Sequence, residues 1–249
     1  IKCSWVISKD FLTPSRIAIE GTTTINTAAF ENCTGLTDLT LPNGLITIWH
    51  YAFVACTSLE TVVLPDSIET IGRSAFENCK NLSEINYPKN WKDCPSEYPS
   101  WSSANDHRGF VFKGCTNLKK IEIPEGVTAI PAFAFRGCNY LEEVILPESL
   151  VTINDTAFYQ CTVLKEVEFK SGLKKIGGEA FYGCMGLKSV TFNEGLEAMG
   201  DGAFAGGCTS LTEIALPGTL TTIPNRAFYN CSGLRKVTVS EGTTTINTA

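Results

Sequence analysis

Residues 46–68 read ITIWHYAFVACTSLETVVLPDSI, and two periodicities share these positions. Val62 and Leu64 alternate with Thr61 and Val63, the period-2 pattern of a short strand with one face inward. Pro65 supplies no ladder N–H, so the strand stops there, and Asp66-Ser67 reads as the turn that follows. Ala52, Phe53 and Cys56 sit at i, i+1 and i+4, a spacing that fits one helical or 3₁₀ turn facing the same interior. Strand plus helical turn in 23 residues is an α/β unit. It is too small to enclose a core, so it needs a neighbour to bury its apolar side chains.

The neighbours are present on both sides. One turn later the same slots hold Ile71, Ala75, Phe76, Cys79, Leu82 and Ile85; further on they hold Ile130, Ala134, Phe135, Cys138, Leu141, Val144 and Leu146. From Cys33 through Cys56, Cys79, Cys115, Cys138, Cys161, Cys184 and Cys208 to Cys231, the spacings are 23, 23, 36, 23, 23, 23, 24 and 23. One 13-residue and one single-residue insertion interrupt a fixed period. EGTTTINTA occurs at 20–28 and again at 241–249, in register nine periods on, so the pattern runs into a tenth turn. A fixed period of 20–50 residues marks a solenoid of stacked turns. Residues 1–16 have lost the pattern and read as an N-terminal cap or irregular half-turn. Residues 17–249 form the array, with an inserted loop at about 89–109.

Composition narrows the functions. Apolar residues are 43% and charged residues 18%, enough for a core and too apolar for disorder. The net charge is −6 with no basic cluster, which disfavours nucleic acid and anionic membranes as partners. No apolar run approaches a spanning helix, so no membrane insertion is expected in this segment.

The cysteine slot recurs once per turn, which stacks nine thiols in a file. Their spacing of about 4.8 Å is inside the disulfide window, but side chains in a file run parallel instead of facing one another. The expectation is a column of reduced thiols acting as small buried hydrophobes. Zinc needs ligands converging from several directions, so no metal site is expected. Cys3 and Cys94 lie outside the column. His50 falls in the variable segment before Ala52-Phe53, where an exposed position is expected, and His107 falls in the insertion. No nucleophile–base motif, phosphate loop or metal-binding motif accompanies them, so neither catalytic residues nor a cofactor are expected.

The pattern I-x-x-x-A-F-x-x-C-x-x-L-x-x-I-x-L-P resembles the BspA-like (Treponema pallidum-type) leucine-rich-repeat family of 23-residue repeats. Lys170, Asn193 and Ser240 depart from its proline, Val111 from its alanine, and Gly206-Gly207 carries an extra glycine. The resemblance implies a right-handed solenoid of about nine to ten turns with a parallel sheet along one face. It also implies a microbial cell-surface or secreted protein that binds host proteins, matrix or other cells. No fixed binding motif comes with it.

Candidate binding residues therefore come from surface chemistry. The insertion holds Trp91, Tyr98, Trp101, His107 and Arg108, aromatic and basic anchors among Pro, Ser and Asn that resemble an adaptable recognition loop. The alternative is that its tryptophans fold back to cover the flank. On the sheet face the outward row, five residues after each cysteine, is polar and mildly acidic; Glu143, Glu166 and Glu213 are its candidates. Adhesion or protein/ligand binding is the leading expectation. A spacer displaying a neighbouring domain, or an accessory carbohydrate-binding segment of a larger enzyme, are the alternatives. An uncovered last turn at Ile246–Ala249 adds end-to-end self-association as a further expectation.

Overall fold

The computed structural model describes residues 15–95 and 110–247. The chain divides into two compact units, residues 1–119 and 120–249. Residues 1–14 of the expected cap, with Cys3, and the last two residues lie outside the described residues, whereas Arg16 already pairs in a strand with Asp38.

Each unit is a coil of stacked turns, and each turn places two short strands, not one. In the second unit Lys120–Glu122, Glu143–Ile145, Glu166–Glu168 and Ser189–Thr191 form one four-stranded parallel sheet. Ala129–Ile130, Thr152–Ile153, Lys175–Ile176 and Ala198–Met199 form another. In the first unit Thr24–Ile25, Thr47–Ile48 and Thr70–Ile71 repeat that second row. Pairing is in register with the repeat, as in Lys120↔Glu143 and Ile153↔Ile176. Glu143, Val144 and Ile145 alternate exposed, buried and half-buried, which is the period-2 pattern realised.

The segment expected to be a helical turn is not one, and the described residues contain strands and turns without an α-helix. The architecture is nearly all β, correcting the α component of the α/β class. Hydrogen bonding supplies the reason. Tyr51, Phe53 and Ala55 donate their N–H groups to the carbonyls of Arg73, Ala75 and Glu77 one turn on, at 2.9, 2.8 and 2.8 Å. The intervening Ala52, Val54 and Cys56 donate back to Trp49, Tyr51 and Phe53. A helix would direct every N–H along its own axis; here alternate amides must reach the adjacent turn. That alternation puts Tyr51 and Ala55 in left-handed conformations, at φ 59° and 57°. Equivalent positions repeat it at Thr156 and Gln160 and at Glu179 and Gly183. A left-handed non-glycine residue costs roughly 1–2 kcal/mol, which the inter-turn bonds offset.

Two side-chain columns fill the interior. In the first unit Phe30, Phe53, Phe76 and Phe112 stack at successive centroid distances of 5.2, 5.2 and 5.7 Å. In the second, Phe135, Phe158, Phe181, Phe204 and Phe228 stack at 5.3, 5.1, 5.2 and 5.7 Å. Beside them run the cysteines. Thiols of this column donate to the phenylalanine carbonyl of the preceding turn, as Cys56 does to Phe30 at 3.2 Å, Cys161 to Phe135 at 3.2 Å and Cys231 to Phe204 at 3.1 Å. The Phe30 and Phe135 carbonyls already accept the N–H of Cys33 and Cys138 in their own turns, so there the thiol occupies the second lone pair. The cysteine slot thus takes a small side chain with one donor.

All ten described cysteines are free thiols. Burial pushes the thiols of Cys94, Cys115 and Cys184 up to about 12, so almost no thiolate exists at neutral pH. Titration with a thiol reagent is expected to be slow and incomplete on the native chain and to reveal ten or more free sulfhydryls in denaturant. Four or more disulfides would overturn this assignment.

Candidate functional site

The described start of the insertion keeps the repeat's register. Trp91 follows Leu45 and Ile68 at 23-residue steps, and Cys94 follows Ile48 and Ile71 likewise. Both fill the core slots those residues define: Trp91 is 3% exposed, packed on Tyr87 at 5.2 Å and edge-on to Phe112 at 6.5 Å. Its indole N–H donates to the Asp93 carbonyl, and Thr70 bridges Asp93 in parallel. The 13 extra residues therefore fall after Cys94, not after Pro88. Trp91 packs the flank and offers a partner no ring face. Tyr98, Trp101, His107 and Arg108 lie outside the described residues.

His50 corrects the expectation of an exposed side chain. It is 6% exposed, and its Nδ1 accepts the Arg73 backbone N–H at 2.9 Å. Gly72 makes the room, because a Cβ there would meet the His50 backbone N at 2.6 Å. Burial, then the Arg73 charge, lowers its pKa, so the ring is held neutral as an acceptor. This is a structural histidine.

The sheet-face acids are brought together in part. Glu143 and Glu166 are cross-strand neighbours, while Glu213 belongs to the strand Glu213–Leu216, which pairs with Lys236–Val239. Lys120 Nζ lies 3.0 Å from Glu143 and Lys236 Nζ lies 3.9 Å from Glu213. These pairs are exposed, contribute little stability, and partly neutralise the row. It is a solvated, mildly acidic row with a lysine at Lys120 and Lys236.

A different surface breaks the repeat. Two outward positions on the turn segment, five and two residues before the cysteine, carry large side chains in the turns of Cys184 and Cys231: Glu179 with Tyr182, and Arg226 with Tyr229. Between them, in the turn of Cys208 with its extra residue, the corresponding side chains are only Gly202 and Ala205. Removing two side chains from a filled column leaves a notch one turn wide, and there a cleft of about 540 Å³ opens. Its floor is Gly202 and Ala205. One wall is Glu179 and Tyr182; the other is Asn225, Arg226 and Tyr229, with Asp201 at the rim.

The walls are braced. Tyr182 stacks on Tyr159 at 4.8 Å and 5°, and the Arg136 guanidinium lies 4.4 Å over the far ring. Gly206, at φ 72°, sits beneath Tyr182; a Cβ there would come 2.3 Å from the ring. Opposite, the Arg226 guanidinium lies 5.8 Å from the Tyr229 centroid, and Tyr229 is 49% exposed. Asp201 accepts the Asn225 backbone N–H at 3.1 Å and its side-chain amide at 3.3 Å, fixing both planar groups at the rim. Preorganised rings and planar polar groups make a binding arrangement and supply no nucleophile–base pair. Sequence reasoning passed over it. The signal was the small pair Gly202 and Ala205 at positions that hold Glu179–Tyr182 and Arg226–Tyr229 in the turns on either side.

Among the described residues no His/Cys/Asp/Glu cluster could hold a metal ion, and no helix is long and apolar enough to cross a membrane.

Comparison with known sequences matches the BspA type leucine rich repeat region, in six copies, to residues 13–98 and 107–235. A leucine rich repeat protein of T. pallidum is similar in structure, with 22% identity and a TM-score of 0.54 over 75% of this chain and 72% of that one. A leucine rich cell surface protein from Faecalibacterium prausnitzii A2-165 shows 22% identity and a TM-score of 0.52 over 92% and 88% of the two chains. No curated protein matches.

Proposed function

Because the chain belongs to the BspA type leucine-rich-repeat family, as the match over both units shows, we propose that it is a non-catalytic module that binds a ligand at a bacterial surface. One observation carries this reading: the repeat is broken where two tyrosines face each other across a braced cleft. On the sheet face, Glu143 and Glu213 are each met by a lysine of the adjacent strand. The F. prausnitzii relative is described as a cell surface protein, and that setting suits a module that displays side chains on a rigid stack. The partner class is a protein or other ligand on a host surface. A spacer has no use for a cleft of this kind.

The test is saturable binding of the fluorescently labelled chain to fixed epithelial cells. Tyr182→Ala with Tyr229→Ala is expected to reduce it several-fold, while changing Glu143, Glu166 and Glu213 to glutamine leaves it within twofold. Non-saturable binding by the wild type would favour the spacer. Loss confined to the glutamate variant would assign recognition to the sheet face.

A further inference from the structure

Resting on that reading, we propose that the cleft between Tyr182 and Tyr229 is a carbohydrate-binding subsite that takes one pyranose ring of a surface glycan. The width of the notch excludes the usual peptide modes first. Its walls are two turns apart, about 10 Å between backbones, and side chains narrow that further. An α-helix with its side chains is about 10–12 Å across, so it cannot enter. An extended peptide binds by adding to open backbone groups, and here they are already committed. Gly202, Phe204 and Gly206 donate to the carbonyls of Asn225, Ala227 and Tyr229 at 2.9, 2.9 and 3.0 Å.

What remains accessible is ring face and planar polar groups. A pyranose has a weakly positive C–H face that lies on the negative face of an aromatic ring, as other partners of the aromatic quadrupole do. Its remaining rim is a girdle of hydroxyls, each both donor and acceptor. Tyr229, half exposed, offers the platform, and Tyr182 forms the opposing wall. Around them Glu179 and Asp201 accept hydrogen bonds, Arg226 donates, and Asn225 does both. Planar carboxylate, amide and guanidinium groups meet vicinal hydroxyls two at a time, which fixes ring orientation. The cleft of about 540 Å³ admits one ring with room for a linkage to a second. A flat apolar ligand would make no use of Glu179 and Arg226, whereas hydroxyls can pair with both, so it is disfavoured.

Saturation-transfer NMR with millimolar methyl glycosides of glucose, galactose, mannose, N-acetylglucosamine, N-acetylgalactosamine, glucuronate and N-acetylneuraminate tests this directly. At least one is expected to receive saturation, strongest at its ring C–H protons. Tyr229→Ala should weaken its affinity about fivefold to tenfold, consistent with loss of one aromatic platform. Tyr140→Ala, an aromatic substitution elsewhere on the surface, should not. Gly202→Gln is the decisive variant. It fills the notch at a left-handed position where Glu179 and Arg226 already stand at φ 52° and 53°, and its Cβ would meet no atom closer than 3.5 Å. Folding should persist, shown by a cooperative melt lowered by no more than the few degrees that a left-handed side chain costs, and sugar binding should disappear.

Two results overturn the proposal: no saturation of any glycoside by the wild type, or binding that survives both Gly202→Gln and Tyr229→Ala. The broader reading is separable. If cell binding requires the tyrosines yet resists periodate oxidation of the cell-surface glycans, the module binds at the cleft and its ligand is not a sugar.

Discussion

Phe181→Ala is expected to destabilise the protein by about 3–5 kcal/mol, a large part of the 5–15 kcal/mol typical of a native domain. Phe181 is fully buried, stacked on Phe158 at 5.1 Å and on Phe204 at 5.2 Å, with Phe169 edge-on at 5.6 Å. The substitution removes the side chain's transfer energy, two stacking contacts, and the fill of a slot whose walls are held by inter-turn hydrogen bonds. Because each turn touches only its neighbours, the loss also weakens the coupling across the second unit, and a broadened unfolding transition is expected. Chemical denaturation followed by circular dichroism measures this. Tyr229→Ala, on the surface, is the comparison and should stay within about 0.5 kcal/mol of wild type. A cost below about 1 kcal/mol for Phe181→Ala would show that the column collapses and heals.

The second large effect concerns the thiol column. Cys161 is fully buried and donates its S–H to the Phe135 carbonyl at 3.2 Å. Cys161→Asp keeps the size near that of cysteine but aims an acceptor at an acceptor and buries a charge, at a cost of at least about 3 kcal/mol at neutral pH. Cys161→Ser retains a donor and should cost distinctly less. The pH dependence has a definite sign. Burial raises the new carboxyl's folded pKa above its ordinary value of about 3.9, so the folded state binds more protons than the unfolded state between the two values. The deficit is therefore full above the raised pKa and shrinks as pH falls through it. Denaturation of wild type and both variants at pH 5 and pH 8, with reductant present, checks this. If Asp and Ser prove equally tolerated at both pH values, the slot needs only small volume and the hydrogen bond carries nothing.

Much of this molecule can be read from spacing. The 23-residue period places Phe53, Cys56, Leu59 and Val62 inward, and every one of them is buried. The same ruler assigns Trp91 and Cys94 to core slots, once it is laid from Ile68 and Ile71 and not from Cys79. Counting from the cysteines put the 13-residue insertion too early and made two interior residues look like loop residues. The error came from the choice of origin.

The repeat alone determines the stacked architecture, because a 23-residue unit with one apolar face can bury it only against a copy of itself. It determines the strand registers, the inward columns and the file of reduced thiols for the same reason. Other features belong to the tertiary structure, since they depend on how one turn meets the next. The alternation of hydrogen bonds that turns a helical spacing into a left-handed ribbon at Tyr51 and Ala55 is such a feature. So is the burial of His50 against the backbone of Arg73, which the local sequence presents as a surface residue. So is the cleft, which opens over two small residues only because Tyr182 and Tyr229 stand one turn away on either side. Local patterns report what a residue does to its own segment; whether a missing side chain is a gap or a binding site is decided by its neighbours across the stack.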